Sequence, residues 1–115
     1  MASYGKADVI NNAGFNMTFR VCLQAPPYVA PNGVSYPATT YWHSSNSPDY
    51  SSGFSNQITI PNGTNMPTGA TMYVEVNADG GSQAVASSQV DAAIGAGMFT
   101  WTVTGTTLNV SIHGQ

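Results

Sequence analysis

The chain has 115 residues, 42% of them hydrophobic, which fits one domain with a core of its own. Only 6% of the residues are charged, against about a quarter in an ordinary soluble domain. Lys6 and Arg20 are the only fixed cations and the formal net charge is -3. The chain therefore cannot form the basic surface that nucleic acid or an anionic membrane requires.

Neutral polar residues replace charges as the source of solubility, with 12 Ser, 12 Thr, 10 Asn and 12 Gly. This composition favours a secreted or cell-surface protein. No apolar run approaches the roughly 20 residues that cross a bilayer, and the first ten residues contain no apolar segment like that of a signal peptide. Cys22 is the only cysteine, so an intrachain disulfide is excluded.

The first half of the chain begins with two predicted strands. Residues 7–11 are a plausible first strand, and 12–14 have the composition of a turn that returns the chain as a hairpin. From Phe15 to Leu23 apolar residues alternate with mostly polar ones. Such alternation predicts a strand with one buried face.

The segment from Gln24 to Asn56 is rich in Pro, Ser, Asn, Gly and Tyr. Five prolines interrupt any regular strand ladder in it: Pro26, Pro27, Pro31, Pro37 and Pro48. Connections of this length are uncommon in compact domains and often functional. We predict that it contains an edge strand between residues 34 and 42, where β-favouring residues cluster.

The second half of the chain predicts further short strands. Residues 57–60 and 72–76 are strands bounded by Gly-containing turns. Residues 84–97 leave two alternatives, a short helix near 88–94 capped by Ser88 or a strand at 83–88. Alternation in 99–103 and 108–112, with Thr104-Gly105-Thr106 between, predicts a C-terminal hairpin.

Together these elements predict an all-β fold. About seven short strands without helical periodicity favour a single antiparallel β-sandwich over residues 1–115, immunoglobulin-like or similar. A small closed barrel is the alternative, because strand number alone does not separate the two.

Groups capable of catalysis are few: two histidines, five carboxylates and one thiol. No spacing among them predicts a catalytic centre, a metal site or a cofactor site, and we predict that the chain is not an enzyme. A hydrolase using His43 or Cys22 ranks last among the hypotheses. The segment 77–81 resembles part of a calcium loop, but a turn after a strand explains the same residues.

The strongest functional signal is a group of aromatic and polar side chains in the long middle segment. Aromatic rings supply contact area while neighbouring amides and hydroxyls supply direction, an arrangement that suits neutral sugars. The competing interpretation is that some of these rings only cover the end of the core. The predicted ligand-binding residues are Tyr36, Tyr41, Trp42, His43, Asp49 and Tyr50.

The sequence thus favours a non-enzymatic binding or surface-exposed protein of lectin-like type, with glycans or another protein as its partner. The main rival is a structural or self-associating protein. Edge strands normally carry charges that prevent pairing between chains, and charges are scarce here. A homo-oligomer is therefore among the expected states.

Two segments carry a resemblance to known proteins. Ala13-Gly14-Phe15 with the alternating residues to Val21, and the segment 101–108 with its Thr-Gly-Thr hairpin, resemble the ends of small uncharacterised microbial β-sandwich proteins. Such hypothetical proteins occur in Burkholderia-type bacteria, and some are considered antigens. The resemblance covers about a third of the chain; it implies the fold and supplies no active residues.

Overall fold

Alternating apolar and polar residues produce strands with one buried face, and a computed structural model of residues 2–81 and 83–115 shows two sheets packed through such faces. Within these residues the structure has eleven strands, in chain order β1 Tyr4–Asn11, β2 Met17–Ala25, β3 Tyr28–Val29, β4 Ser35–Tyr36, β5 Thr39–His43, β6 Ser55–Thr59, β7 Thr71–Ala78, β8 Val85–Ala86, β9 Val90–Asp91, β10 Gly97–Thr106 and β11 Asn109–Gly114.

The first sheet, called sheet A, has the strand order β11-β10-β1-β6. Its strands pair antiparallel except β1 and β10, which run parallel from Lys6 opposite Met98 to Asn11 opposite Val103. The core-facing side chains Val9 of β1 and Trp101 and Val103 of β10 are fully buried. A parallel pair requires a long connection between its strands, and sheet B forms within that connection.

The second sheet, called sheet B, has the order β5-β2-β7-β8, and β9 pairs with the start of β7. The β2 and β7 strands pair along nearly their whole length, from Met17 opposite Ala78 to Gln24 opposite Thr71. Phe19 and the other alternating residues of β2 point into the core, as their spacing predicts. The two-sheet arrangement confirms the predicted all-β sandwich. The edge strand predicted between residues 34 and 42 is divided: its second half lies in the edge strand β5, whereas its first half forms β4, which pairs with β3 outside sheet B.

The core lies between the sheets and is closed at one end by the loop that carries Tyr50. Tyr50 packs edge-on against Phe19 and its hydroxyl donates to the carbonyl oxygen of Val9 at 2.8 Å. Asn11 is fully buried and bonds to the carbonyl oxygens of Phe15 and Tyr50. Both side chains therefore connect the two layers.

The predicted hairpin between the first two strands is wrong. The β1 strand pairs with β6 and β10 in sheet A, and β2 lies in the other sheet. The connection crosses between layers because its backbone bonds to β10 instead, from Asn12 N to Val103 O and from Gly14 N to Gly105 O. The Gly-containing segment between β1 and β2 is compatible with a hairpin, but β1 pairs with β6 and β10 and β2 pairs with β5 and β7.

The predicted short helix near 88–94 is also wrong. Val90 and Asp91 form β9 against β7, and Ala92 bridges to Tyr4 in parallel. These pairings use backbone groups that a helix would bond internally. The strand alternative survives as the short β8. Across residues 2–81 and 83–115 the chain has no helix long and apolar enough to cross a bilayer.

Candidate functional site

The candidate site is a projecting arm made of β3, β4 and the turn between them. The β2 and β5 strands pair as far as Ala25 opposite Thr39, and the chain between these two residues forms the arm. Pro26 and Pro27 on one side and Pro37 on the other lack the N–H groups that would continue the ladder. The arm is therefore a separate two-stranded sheet outside both layers of the sandwich.

A tight turn at the tip fixes the register of the arm. Gly33 N donates to Ala30 O at 2.9 Å, and Ala30 N donates to Val34 O at 2.9 Å. Gly33 has a φ of 86°, which non-glycine residues rarely adopt, and Pro31 and Asn32 are residues favoured in the turn before it. This turn places Tyr28 directly opposite Tyr36.

Large apolar side chains cover the arm and remain open to solvent. The Tyr28 and Tyr36 rings stack on each other with centroids 6.2 Å apart and planes 22° apart. The exposed fractions are 56% for Tyr28, 65% for Val29, 45% for Val34 and 52% for Tyr36. Exposed apolar groups that cluster in this way often mark a binding surface.

The surroundings of this patch are polar but uncharged. No Asp, Glu, Lys or Arg occurs between Gln24 and Pro48. Asn32 accepts a hydrogen bond from Val34 N at 3.1 Å through Oδ1, and Ser35 and Thr39 are exposed. The arm therefore offers apolar rings, hydroxyls and an amide without a fixed charge.

Among the aromatic residues predicted to bind a ligand, the structure groups Tyr36 with Tyr28 and places the others elsewhere. Tyr41 is 45% exposed on β5. Trp42 packs half-buried against the core, and Tyr50 is buried between the layers. The interpretation that some rings cover the core therefore describes the last two.

His43 lies on the outer side of sheet B within a polar cluster. It stands opposite Cys22 in the strand register, and its Nδ1 lies 3.5 Å from Arg20 Nη1. Arg20 in turn forms an ion pair with Glu75 at 2.6 Å, and the Cys22 thiol donates to Glu75 Oε1 at 3.6 Å. Burial and the nearby Glu75 carboxylate raise the pKa of Cys22 to about 11.

At neutral pH that thiol is protonated, and a thiol is a much weaker nucleophile than a thiolate. The Cys22 side chain is also only 1% exposed. This geometry gives no support to the hydrolase hypothesis.

Asp49 lies at the end of the sandwich away from the arm, beside the turn that follows β7. A hydrogen bond with Asp79 raises the pKa of the exposed Asp49 carboxyl above its ordinary value. In residues 2–81 and 83–115, no group of three or more His, Cys, Asp or Glu side chains is assembled that could hold a metal ion.

Two shallow depressions lie outside the arm. One of about 370 Å³ is lined by Tyr4, Thr71, Gln89 and Asp91 among others, and one of about 400 Å³ is lined by the 13–16 and 51–52 segments. The first combines an aromatic ring with polar groups. It therefore provides a comparison site for any test of the arm.

Tyr28 is the residue that sequence reasoning missed. The signal was present, because Tyr28-Val29-Ala30 and Val34-Ser35-Tyr36 flank Pro31-Asn32-Gly33 symmetrically. A Pro-Asn-Gly turn between two Tyr-containing segments predicts that the tyrosines pair across a hairpin. The same prolines that interrupt the ladder of β2 and β5 delimit this hairpin.

No protein-family model and no curated protein matches the chain. Solved structures with a similar fold include listeriolysin O, with 16% identity and a TM-score of 0.51 over 96% of this chain. A Gram-negative toxin gives 16% identity and 0.51 over 99%, and a non-hemolytic pneumolysin from Streptococcus pneumoniae gives 11% and 0.50 over 96%.

The chain spans only 22% of the listeriolysin O chain and 23% of the other two. At these identities the likeness shows the fold alone, a β-sandwich of the kind that forms one part of these toxins. It assigns no residue of this chain a role. The resemblance to uncharacterised Burkholderia-type proteins stays a prediction.

Proposed function

We propose that this chain is a non-enzymatic binding domain of lectin-like type that holds neutral sugar rings against the arm. The observation that carries the proposal is the exposed, stacked pair Tyr28 and Tyr36 on a hairpin outside both layers of the sandwich. The sandwich core forms without these rings, so folding does not account for them.

The chemistry of the arm favours sugars over charged ligands. Aromatic faces pack against the C–H groups of a pyranose, and nearby amides and hydroxyls bond to its hydroxyl groups. Asn32 in the turn and Ser35 on β4 are exposed and supply such groups on the arm. Because the arm carries no fixed charge, nothing in it selects for an anionic or cationic ligand.

The stiffness of the arm also supports binding. The turn hydrogen bonds and the flanking prolines limit the conformations open to the two tyrosines before a ligand arrives. Less conformational entropy is then lost on binding.

The test is binding of the purified protein to an array of neutral glycans, compared with the double variant Tyr28→Ser, Tyr36→Ser. We expect specific binding by the wild type and at least a tenfold loss in the double variant, because the stacking surface is removed. Leu108→Ser is the matched control, since Leu108 is 94% exposed at a turn outside the arm.

Two results would contradict the proposal: no glycan bound by the wild type, or equal binding by the wild type and the double variant. The variant Asp91→Asn distinguishes the arm from the depression beside Tyr4. If Asp91→Asn abolishes binding and the double variant does not, the sugar site lies in that depression. Urea unfolding of each variant confirms that the sandwich is intact.

A further inference from the structure

The edges of sheet B are protected against pairing with another chain. The register of β5 on β2 shifts between Leu23 and Gln24, and such a bulge disturbs an edge. The opposite edge is divided between β8 and β9, each of two residues. Short and bulged edges are two of the features by which β-proteins avoid edge-to-edge association.

Sheet A has no such protection at β11. This strand pairs with β10 in continuous register from Thr106 opposite Asn109 to Trp101 opposite Gly114. It contains no proline and no Asp, Glu, Lys or Arg. Within the part of the chain that the structure describes, no strand pairs with its other side. Its backbone therefore presents a free row of donors and acceptors to a partner strand.

The sequence of β11 is complementary to itself. A two-fold axis perpendicular to the sheet relates two antiparallel copies of β11 without exchanging the two faces of the sheet. Core-facing residues of one copy therefore pair with core-facing residues of the other, and outward-facing residues with outward-facing ones. An axis at Ser111 satisfies this condition: it sets Val110 opposite Ile112 of the second copy and Asn109 opposite His113 of the second copy. β-Branched pairs of this kind stabilise neighbouring strands.

The core side of β11 has apolar surface still to bury. Val110 and Ile112 lie at the rim of the core and are only partly buried. The other edge of sheet A, β6, is also uncharged, but two-fold pairing about its centre sets Asn56 against Ile58. An amide beside an isoleucine is a poorer match, and β11 is therefore the better edge.

We propose that β11 pairs antiparallel with β11 of a second copy of this chain, about a two-fold axis at Ser111. The pairing joins two four-stranded sheets into one continuous sheet. Five residue pairs bury much less surface than the roughly 1,200 Å² of a stable interface, so the dimer forms reversibly at high protein concentration. This inference is independent of glycan binding by the arm.

The first test is sedimentation velocity over a wide concentration range for the wild type, Ser111→Lys and Gln57→Lys. Ser111 lies opposite Thr104 on the outer face, so a lysine there leaves the core intact but meets its own copy across the axis. We expect the wild-type mass to rise toward twice the monomer mass and Ser111→Lys to stay monomeric. Gln57→Lys, on β6, should associate like the wild type.

The second test is cross-linking under mild oxidation. Residues opposite each other in an antiparallel pair have Cα atoms about 4.5–5.5 Å apart, within the range of a disulfide. Ser111→Cys should therefore form a covalent dimer, whereas Asn109→Cys, which faces His113 of the second copy, should not. Cys22 is buried and remains unreacted.

The proposal is wrong if the wild type stays monomeric at every concentration or if Ser111→Lys associates like the wild type. It is also wrong if Gln57→Lys abolishes association, which would place the contact on β6. The cross-linking pattern decides the register even if Ser111→Lys fails to fold. Equal cross-linking of both cysteine variants would overturn the two-fold register.

Discussion

On the outer side of sheet B, neighbouring side chains bury a residue that points away from the core. Cys22 points away from the core, yet Arg20, Glu75 and Tyr73 crowd around it. The thiol is consequently buried by polar side chains rather than by the core. Alternation predicted its direction correctly but could not predict the cover, because Tyr73 and Glu75 come from β7, about 50 residues later in the sequence.

The raised pKa of Cys22 predicts a loss of stability at alkaline pH. The thiol pKa is about 11 in the folded chain against 9.0 ordinarily, so the unfolded chain loses its proton first as the pH rises. The free energy of unfolding should therefore fall between pH 9 and 11. Below pH 9 the thiol is protonated in both the folded and the unfolded chain, so its ionisation does not change the free energy of unfolding. Relative to Cys22→Ala, we expect an additional loss of up to about 2 kcal/mol.

Urea unfolding of both proteins at several pH values between 7 and 10.5 measures this difference. Tyrosines remote from Cys22 contribute equally to both curves and cancel, but Tyr73 contacts the thiol, so both proteins are compared in a Tyr73→Phe background. Parallel curves for the two proteins across this range would contradict the assignment. A further check is thiol labelling at pH 8, which should be slow in the folded wild type and rapid in urea.

At the scale of elements, strong alternation predicted the long strands and failed for the short ones. The β2 strand has four alternating buried positions and β10 has three, and both form within two or three residues of the predicted bounds. The β8 and β9 strands have two residues each, and only their pairing with β7 defines them as strands. Local sequence cannot identify an element whose stability comes entirely from its neighbour.

Packing of the 92–96 segment against β1 depends on a close approach at Gly5. A Cβ atom at Gly5 would lie 2.5 Å from the carbonyl oxygen of Ala93, whose own N–H bonds to Tyr4 O at 2.9 Å. Gly5→Ala should therefore push the segment off β1 and lower the free energy of unfolding by about 1–3 kcal/mol. Chemical denaturation measures this change.

Gly97→Ala is the matched control for Gly5→Ala. A Cβ atom at Gly97 would meet nothing within 4 Å, and Gly97 begins the strand that lies beside β1. We expect its free energy of unfolding to stay within about 0.5 kcal/mol of the wild type. If the two substitutions lower the free energy of unfolding equally, the close approach at Gly5 is contradicted.

At the scale of the whole molecule, a few polar contacts join the layers at one end of the core. Asn11 Nδ2 donates to Phe15 O at 2.8 Å and to Tyr50 O at 3.1 Å, while its Oδ1 accepts from Ala13 N at 2.9 Å. These bonds tie the end of β1 to the connection between the sheets and to the loop after β5. Asn11 is therefore a structural residue of the sandwich.

Removal of these contacts should destabilise the whole fold. Asn11→Ala leaves Phe15 O and Ala13 N without the Asn11 side chain as a partner, whereas Tyr50 O keeps its bond from Met17 N. Each unpaired buried group costs about 1–3 kcal/mol, so we expect a loss of about 2 kcal/mol or more. The control is Asn12→Ala, at an exposed neighbouring position. Coincident loss of far-UV circular dichroism and tryptophan fluorescence would show that both layers unfold together. Separate transitions would contradict this role.

The sequence by itself determined the fold class, the edge strand within the long middle segment and the residues of the core in the long strands, because the alternation of side chains is a local property. It also determined the scarcity of charge that motivates the proposed pairing of β11. Only the tertiary structure decided that the first two strands lie in different sheets, that Trp42 packs against the core and Tyr50 lies within it, and that Tyr28 stacks on Tyr36. Each of these depends on contacts between residues far apart in the chain or across a turn, where several pairings satisfy the local pattern and packing selects one of them.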